Sequence, residues 1–163
     1  MQTQAEVNRT GMAETAGQYL SFTLDEEHYA IEILRIQEIR GYSGITPIPN
    51  TPPYVRGVMN LRGTVIPVVD LRARFSMAPR EYNKFTVVIV VTMGERIAGL
   101  VVDAVSDVLE IPASGVRPAP DFGARSDVRF IAGMTEAAGK LVVLLEIDRL
   151  LGEDEAGNTG GVE

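Results

Sequence analysis

An internal repeat constrains the fold of this chain more than any other feature of the sequence. Segment 29–39 resembles segment 98–108 when Ile39 is aligned with Val108. A second pair, 63–71 and 139–147, shares the order glycine, polar residue, apolar strand, acid and apolar helix start. Chance similarity between apolar strands is the alternative. A true repeat means that the chain consists of two related halves.

The size of each half predicts how the halves are arranged. A unit of about 60 residues buries only about 60% of its unfolded surface and is marginal alone. We therefore expect one domain at 18–151, made of two β-barrel subdomains at approximately 19–84 and 85–151 that pack together. Whether they exchange strands is left open. The polar segment 1–17 and the acidic segment 152–163 are expected to be disordered tails.

Strand patterns dominate the sequence between these tails and predict an all-β fold with short helices. Alternating apolar residues and turn signals mark strands and hairpins at 19–24 with 29–33, 86–92 with 97–102, and 131–135 with 140–145. A helical period after Ile33 predicts a short helix before Arg40. Asp70 is placed to cap another short helix at 71–75, and a last one is predicted at 147–151. Four prolines make 46–53 an extended connector.

The composition excludes several classes of protein. A net charge of −7 argues against a nucleic-acid binder; a local basic patch around Arg56, Arg62, Arg72 and Arg74 is left open as an alternative. The absence of cysteine removes disulfides and most structural zinc sites. The longest apolar runs fall far short of the roughly 20 residues of a membrane span, and 1–17 lacks a signal-peptide core. We expect a cytoplasmic protein with protein or small-molecule partners.

The sequence offers no convincing catalytic or metal site. His28 lies in the acidic stretch 25–28 and is interpreted as part of a solvated hairpin tip. Segment 133–140 misses the spacing of a phosphate-binding loop and lacks its hydroxyl residue. We therefore predict no enzyme, no catalytic residue, no metal and no cofactor. Catalysis by Asp70 or Asp107 is kept as a weak alternative, because no second group is expected to converge on either.

Segment 57–63, which ends in a turn predicted at 61–64, has the residues expected of an exposed binding element. Asn60 and Gly63 suit a turn, which places Arg62 at or near its tip. An exposed arginine has five donors with which to bind a carboxylate on a partner. The alternative is that Arg62 pairs with an acid of its own chain.

Several segments together resemble the CheW family of bacterial chemotaxis coupling proteins. The matching segments follow in order at normal spacing and cover roughly 18 to 151; they are 38–42, 45–50, 57–63, 67–71, 99–109, 117–120 and 147–151. The resemblance implies two SH3-like five-stranded β-barrels packed around a shared core, which agrees with the repeat. It also implies a stand-alone scaffold, because the chain shows neither a kinase domain nor an appended receiver.

The resemblance further implies partners and their surfaces. The partners are the cytoplasmic tips of methyl-accepting chemoreceptors and the regulatory domain of the histidine kinase CheA, so recruitment to membrane-associated arrays is expected without membrane insertion. The receptor-binding residues implied are Ile36, Glu38, Asn60, Arg62, Val87, Gly99, Val105 and Val108. The kinase-binding residues implied are Ile33, Ile39, Gly41, Tyr42, Ile45 and Gly57. The alternative function is a small-molecule sensor that uses the groove between the barrels.

Overall fold

Ten strands account for most of the structure, a computed structural model that describes residues 15–118 and 130–150. They are β1 (Thr15–Leu24), β2 (Glu27–Glu32), β3 (Ile36–Gly41), β4 (Val55–Leu61), β5 (Thr64–Asp70), β6 (Val87–Met93), β7 (Arg96–Val102), β8 (Ala104–Pro112), β9 (Ile131–Ala137) and β10 (Lys140–Leu145). The helix α1 spans Leu71–Arg74, and 3-10 turns span Ile33–Arg35 and Ala113–Gly115. Residues 147–150 are helical as well.

The strands form two five-stranded sheets with the same internal order. One sheet runs β8-β1-β2-β10-β9 and the other runs β3-β6-β7-β5-β4. In each sheet a parallel pair joins two antiparallel hairpins, β2 with β10 in the first and β7 with β5 in the second. The predicted all-β fold with two five-stranded units is confirmed. The matching order also supports the repeat, because β5 and β10 are the strands of its second segment pair.

The described residues divide into two compact units that interleave along the chain. The terminal unit comprises 15–21, 28–33, 107–118 and 130–150, and the central unit comprises 22–27 and 34–106. The chain passes between the units after residues 21, 27, 33 and 106. Each unit therefore takes strands from both halves of the chain.

Alternation along the strands builds the core of each unit, since every second side chain of a strand points to the same face. In the central unit the buried cluster comprises Met59, Leu61, Ile66, Val68, Val88, Val90 and Val101, from β4, β5, β6 and β7. In the terminal unit it comprises Tyr19, Ala30, Ile111, Val142 and Leu144. The alternation of apolar and polar residues in the sequence thus distinguishes core positions from surface positions within each sheet.

Backbone hydrogen bonds close each sheet into a barrel. In the central unit Thr46, in the connector that follows edge strand β3, exchanges two bonds with Val58 of the opposite edge strand β4, at 2.8 and 2.9 Å. In the terminal unit Arg117, which follows β8, makes the same exchange with Met134 of β9, both at 2.8 Å. The proline-rich connector is therefore one side of a barrel seam as well as an extended link.

A glycine lies beside each seam because no side chain fits there. Gly57 has φ +143°, and a Cβ on it would lie 2.0 Å from the carbonyl oxygen of Thr46. At the equivalent position, a Cβ on Gly133 would lie 2.7 Å from Cγ1 of Val116 and 3.1 Å from the carbonyl oxygen of Arg117. Cβ atoms essentially never approach other heavy atoms within 3.0 Å. The seams of both barrels thus depend on glycine.

Two local predictions have opposite outcomes. Helix α1 begins after Asp70 as predicted, and the Asp70 carboxylate accepts the backbone N–H of Arg72 at 2.9 Å. The predicted helix between Ile33 and Arg40 is wrong, because only a three-residue 3-10 turn forms before the chain enters β3. Pairing of β3 with β6, which is distant in sequence, prevails over the local helical period.

The tail predictions fall mostly outside the described residues. Strand β1 begins at Thr15, so the chain is ordered in a sheet slightly before the predicted end of the first tail. Segments 1–14, 119–129 and 151–163 lie outside the description. Within the described ranges, no helix is long and apolar enough to cross a membrane.

The sheet topology predicts that a fragment of residues 1–84 does not fold. It lacks β6, the sheet neighbour of β3, and β7, the parallel partner of β5. In the other sheet only the β1–β2 pair remains, and a two-stranded hairpin is marginally stable in water. Circular dichroism of the fragment should show no cooperative thermal transition, with the full chain as control. A cooperative transition in the fragment would contradict this topology.

The seam predicts that the same substitution destabilises the protein strongly at one glycine and hardly at all at another. Gly57→Ala should destabilise the protein by about 3 kcal/mol or more, because it combines a disfavoured φ with overpacking against the backbone. Gly41→Ala is the matched control, since a Cβ there meets nothing within 4 Å, and it should change stability by no more than about 0.5 kcal/mol. Chemical denaturation of both variants measures the difference. Equal stabilities would show that the seam tolerates a side chain.

Candidate functional site

Arg62 occupies a tight hairpin turn whose geometry suits arginine poorly. Leu61 pairs with Thr64, so the loop between β4 and β5 has two residues, Arg62 and Gly63, with φ of 52° and 92°. Both values are positive, as in the type I′ turn that favours Asn-Gly. The side-chain oxygen of Asn60 accepts the N–H of Gly63 at 2.7 Å and fixes the turn. An arginine in a left-handed conformation is uncommon and strained.

The Arg62 side chain projects into solvent and holds an acid of the same unit. It is 66% exposed, and its Nη2 lies 3.2 Å from Oε1 of Glu38 on β3. Arg40 binds the other oxygen of that carboxylate at 3.1 Å. Hydrogen bonds from Arg40, and to a lesser extent from Arg62, lower the pKa of Glu38, so its carboxylate stays ionised at neutral pH. We call Glu38, Arg40, Asn60 and Arg62 the charged corner.

The structure brings together three of the eight predicted receptor-binding residues, Glu38, Asn60 and Arg62. Of the others, Ile36 and Val87 are half-buried at opposite ends of the β3–β6 pair. Gly99 is buried in β7, where a Cβ would lie 2.6 Å from Cγ1 of Val88, so it has a packing role. On β8, Val105 is half-buried in the central unit, and Val108 is 55% exposed in the terminal unit.

The six predicted kinase-binding residues divide by burial. Ile39 is 44% exposed, and Gly41 is exposed beside it on β3. Tyr42 and Ile45 pack against the core cluster of the central unit. Ile33 is half-buried in a 3-10 turn.

Gly57, the sixth, is buried. The resemblance implies that Gly57 contacts the kinase; in this chain the backbone that approaches it is that of Thr46. A charged substitution there would disturb the barrel seam directly.

Asp70 is buried and accepts hydrogen bonds on both of its carboxylate oxygens. Its Oδ1 accepts the N–H of Arg72, and its Oδ2 accepts the hydroxyl of Tyr82 at 2.6 Å and the guanidinium of Arg56 at 3.3 Å. Burial and the hydrogen bond to Asp70 raise the pKa of Tyr82, so its hydroxyl remains a donor at neutral pH. The network ties the loop before β6 to β4 and β5. Its geometry indicates a structural function for Asp70.

The basic patch left open by the sequence is largely neutralised, because three of its four arginines pair with acids. Arg56 pairs with Asp70, and Arg62 with Glu38. Arg72 is buried and donates to Asp25 at 2.7 Å and to Asp103 at 2.9 Å. Its guanidinium also binds the carbonyl of Ala78. Arg74 lies over the ring of Tyr54, 4.4 Å from the ring centre.

Sequence reasoning missed the acids around Arg72. Asp103 also binds Arg80 at 2.8 Å and accepts the backbone N–H of Asp25 at 2.7 Å, so it belongs to an ionic cluster around the buried Arg72. No local signal could have revealed this, since Asp25 and Asp103 are 78 residues apart. A buried arginine needs paired charges, and the cluster supplies them.

The described ranges contain no group of three or more metal-ligating side chains. His28 lies within β2, opposite Val142 of β10, and is half-buried. Its predicted place at the hairpin tip is therefore wrong, because the turn consists of Asp25 and Glu26. The charged corner and the exposed part of β3 both present chemistry that a partner could contact.

Comparison with known proteins gives one consistent family. A family model described as the CheW-like domain matches residues 18–155. The chain is 45% identical over 143 residues to the chemotaxis protein CheW of Klebsiella aerogenes, covering 87% of this chain and 86% of that protein. It is 36% identical over 136 residues to the chemotaxis protein CheW of Rhizobium meliloti, covering 83% and 88%.

A solved structure agrees with this result at the level of the fold. The crystal structure of the scaffolding protein TtCheW from Thermoanaerobacter tengcongensis matches with a TM-score of 0.78 and 33% identity, covering 85% of this chain and 89% of that chain. Since the family model, the relatives and this structure all cover most of the chain, the chain belongs to the CheW-like family of chemotaxis proteins.

Proposed function

We propose that this chemotaxis adaptor couples methyl-accepting chemoreceptors to the histidine kinase CheA and supports receptor control of the kinase. The proposal is supported mainly by the exposure and conformation of Arg62, an arginine that projects into solvent from a turn with an unfavourable backbone conformation. A turn selected for stability alone would have asparagine or glycine there. Strain at an exposed residue is typical of functional sites.

The charged corner has the properties of a receptor-binding surface. Both carboxylate oxygens of Glu38 contact the Arg62 guanidinium: Oε1 lies 3.2 Å from Nη2, and Oε2 lies 3.5 Å from Nη1. A guanidinium has five donors, so Arg62 keeps donors for a carboxylate or carbonyl of the receptor tip. Because Asn60 fixes the turn, little backbone freedom is lost when the partner binds.

Strand β3 is the proposed contact with the CheA regulatory domain. Ile39 and Gly41 are exposed on this edge strand, where an apolar partner can approach the backbone. Tyr42 and Ile45, just beyond β3, pack on the core of the central unit. In this proposal they and Gly57 shape the surface, while Ile39 and Gly41 touch the kinase.

A non-enzymatic function is part of the proposal. It is supported by the two engaged oxygens of Asp70 and by family relatives named as chemotaxis and scaffolding proteins. We also propose that the protein acts in the cytoplasm and reaches membrane-associated arrays through the receptors it binds.

The strained turn predicts that stability and receptor binding respond separately to substitution. Arg62→Asn should leave the protein no less stable, because relief of turn strain offsets the loss of a surface ion pair worth about 0–1 kcal/mol. The same change should weaken binding to a receptor-tip fragment by about tenfold or more and spare binding to CheA. Thermal melting and titration calorimetry measure the two effects.

Ala138→Asn is the matched control for Arg62→Asn. Ala138 has φ 54° and precedes Gly139 in the equivalent turn of the terminal unit. Asparagine there should also relieve strain, but it should leave receptor binding unchanged. Normal receptor binding by Arg62→Asn, or an equal loss in Ala138→Asn, would contradict the assignment of the charged corner.

A further inference from the structure

The loop between α1 and β6 is tied down along its length although it has no regular structure. The guanidinium of Arg72 binds the carbonyl of Ala78, Arg80 binds Asp103, and the hydroxyl of Tyr82 binds Asp70. Long irregular loops in compact domains are usually functional or disordered. This one is ordered, so its exposed residues are held in fixed positions.

The end of the loop displays one aromatic side chain on a rigid turn. Asn83 donates its N–H to the hydroxyl of Thr86 at 2.9 Å, and its side-chain oxygen accepts the N–H of Phe85 at 2.7 Å. Thr86 is buried and returns its own N–H to the Asn83 carbonyl at 3.1 Å. Phe85 is 60% exposed, and the Lys84 ammonium lies 5.3 Å from the centre of its ring.

Residues on both sides of Phe85 place it beside the end of β3. The ring of Tyr82 lies 4.2 Å from the ring of Tyr42, and Val87 pairs with Gly41. Phe85 and Val87 are two positions apart in the chain, so their Cα atoms are at most about 7 Å apart. A single exposed apolar side chain is ordinary, but Phe85 lies two residues before Val87, the strand partner of Gly41 on β3. Phe85 is therefore near the end of the exposed part of β3.

We propose that Phe85 and Lys84 form an additional anchor for the CheA regulatory domain, and this inference rests on the function proposed above. The partner surface it fits is an apolar hollow with carboxylates on its rim, because the aromatic ring and the ammonium are presented side by side. A pre-ordered aromatic side chain can be buried at little cost in conformational entropy. The anchor thus enlarges the contact made by β3.

Titration calorimetry of the full chain with the CheA regulatory domain tests the anchor. Phe85→Asn should weaken binding by about tenfold without lowering the melting temperature, and Phe85→Trp should restore most of the affinity. Lys84→Glu should also weaken binding, more strongly at low than at high salt. The matched controls are Leu141→Asn, at a residue 53% exposed in the terminal unit, and Lys140→Glu. Both controls should bind like the parent.

The outcomes separate this inference from the function on which it rests. Failure of the parent chain to bind the regulatory domain would overturn the proposed function itself. Normal binding by both Phe85→Asn and Lys84→Glu, with a parent that binds, would overturn only the anchor. An equal loss in Leu141→Asn, or a loss of receptor-tip binding in place of kinase binding, would also overturn it.

Discussion

Two backbone hydrogen bonds between Thr46 and Val58 hold the central barrel closed, and the candidate surfaces depend on them. They bring the connector after β3 onto β4, so that Glu38 on one edge strand can reach Arg62 beside the other. The close approach is possible only because Gly57 has no side chain. The terminal barrel repeats the arrangement with Arg117, Met134 and Gly133, which shows that the seam is a property of the repeat.

The arginines differ in how much their ion pairs contribute to the stability of the fold. Arg72 is buried, where an unpaired charge would be strongly destabilising, and two carboxylates and a carbonyl surround it. Arg56 completes the network of Asp70. Arg62 differs because its ion pair is at the surface, where such a pair adds little stability. Arg62 also lies in a turn whose positive φ is unfavourable for arginine.

Local features of the fold were predictable. The hairpin of β6 and β7, the cap at Asp70 and the turn at Arg62 each depend on residues adjacent in sequence. The wrong predictions depend instead on contacts between residues distant in sequence. The helix predicted after Ile33 yields to β3, and Arg35 donates to the carbonyl of Thr92, 57 residues away. The basic patch is neutralised in part by Asp25, which binds Arg72 at 2.7 Å and is 47 residues distant.

Most hairpins and turns could be predicted from the sequence alone, since periodicity and turn chemistry are local. The exposure of Arg62 in its turn was predictable in the same way. Which strands become neighbours, and which glycine serves the fold, depends on contacts between residues distant in sequence. Gly41 and Gly57 are chemically identical, yet one faces open space and the other a backbone oxygen. That difference arises from Thr46, which the closed sheet brings to Gly57, and spacing along the chain does not encode it.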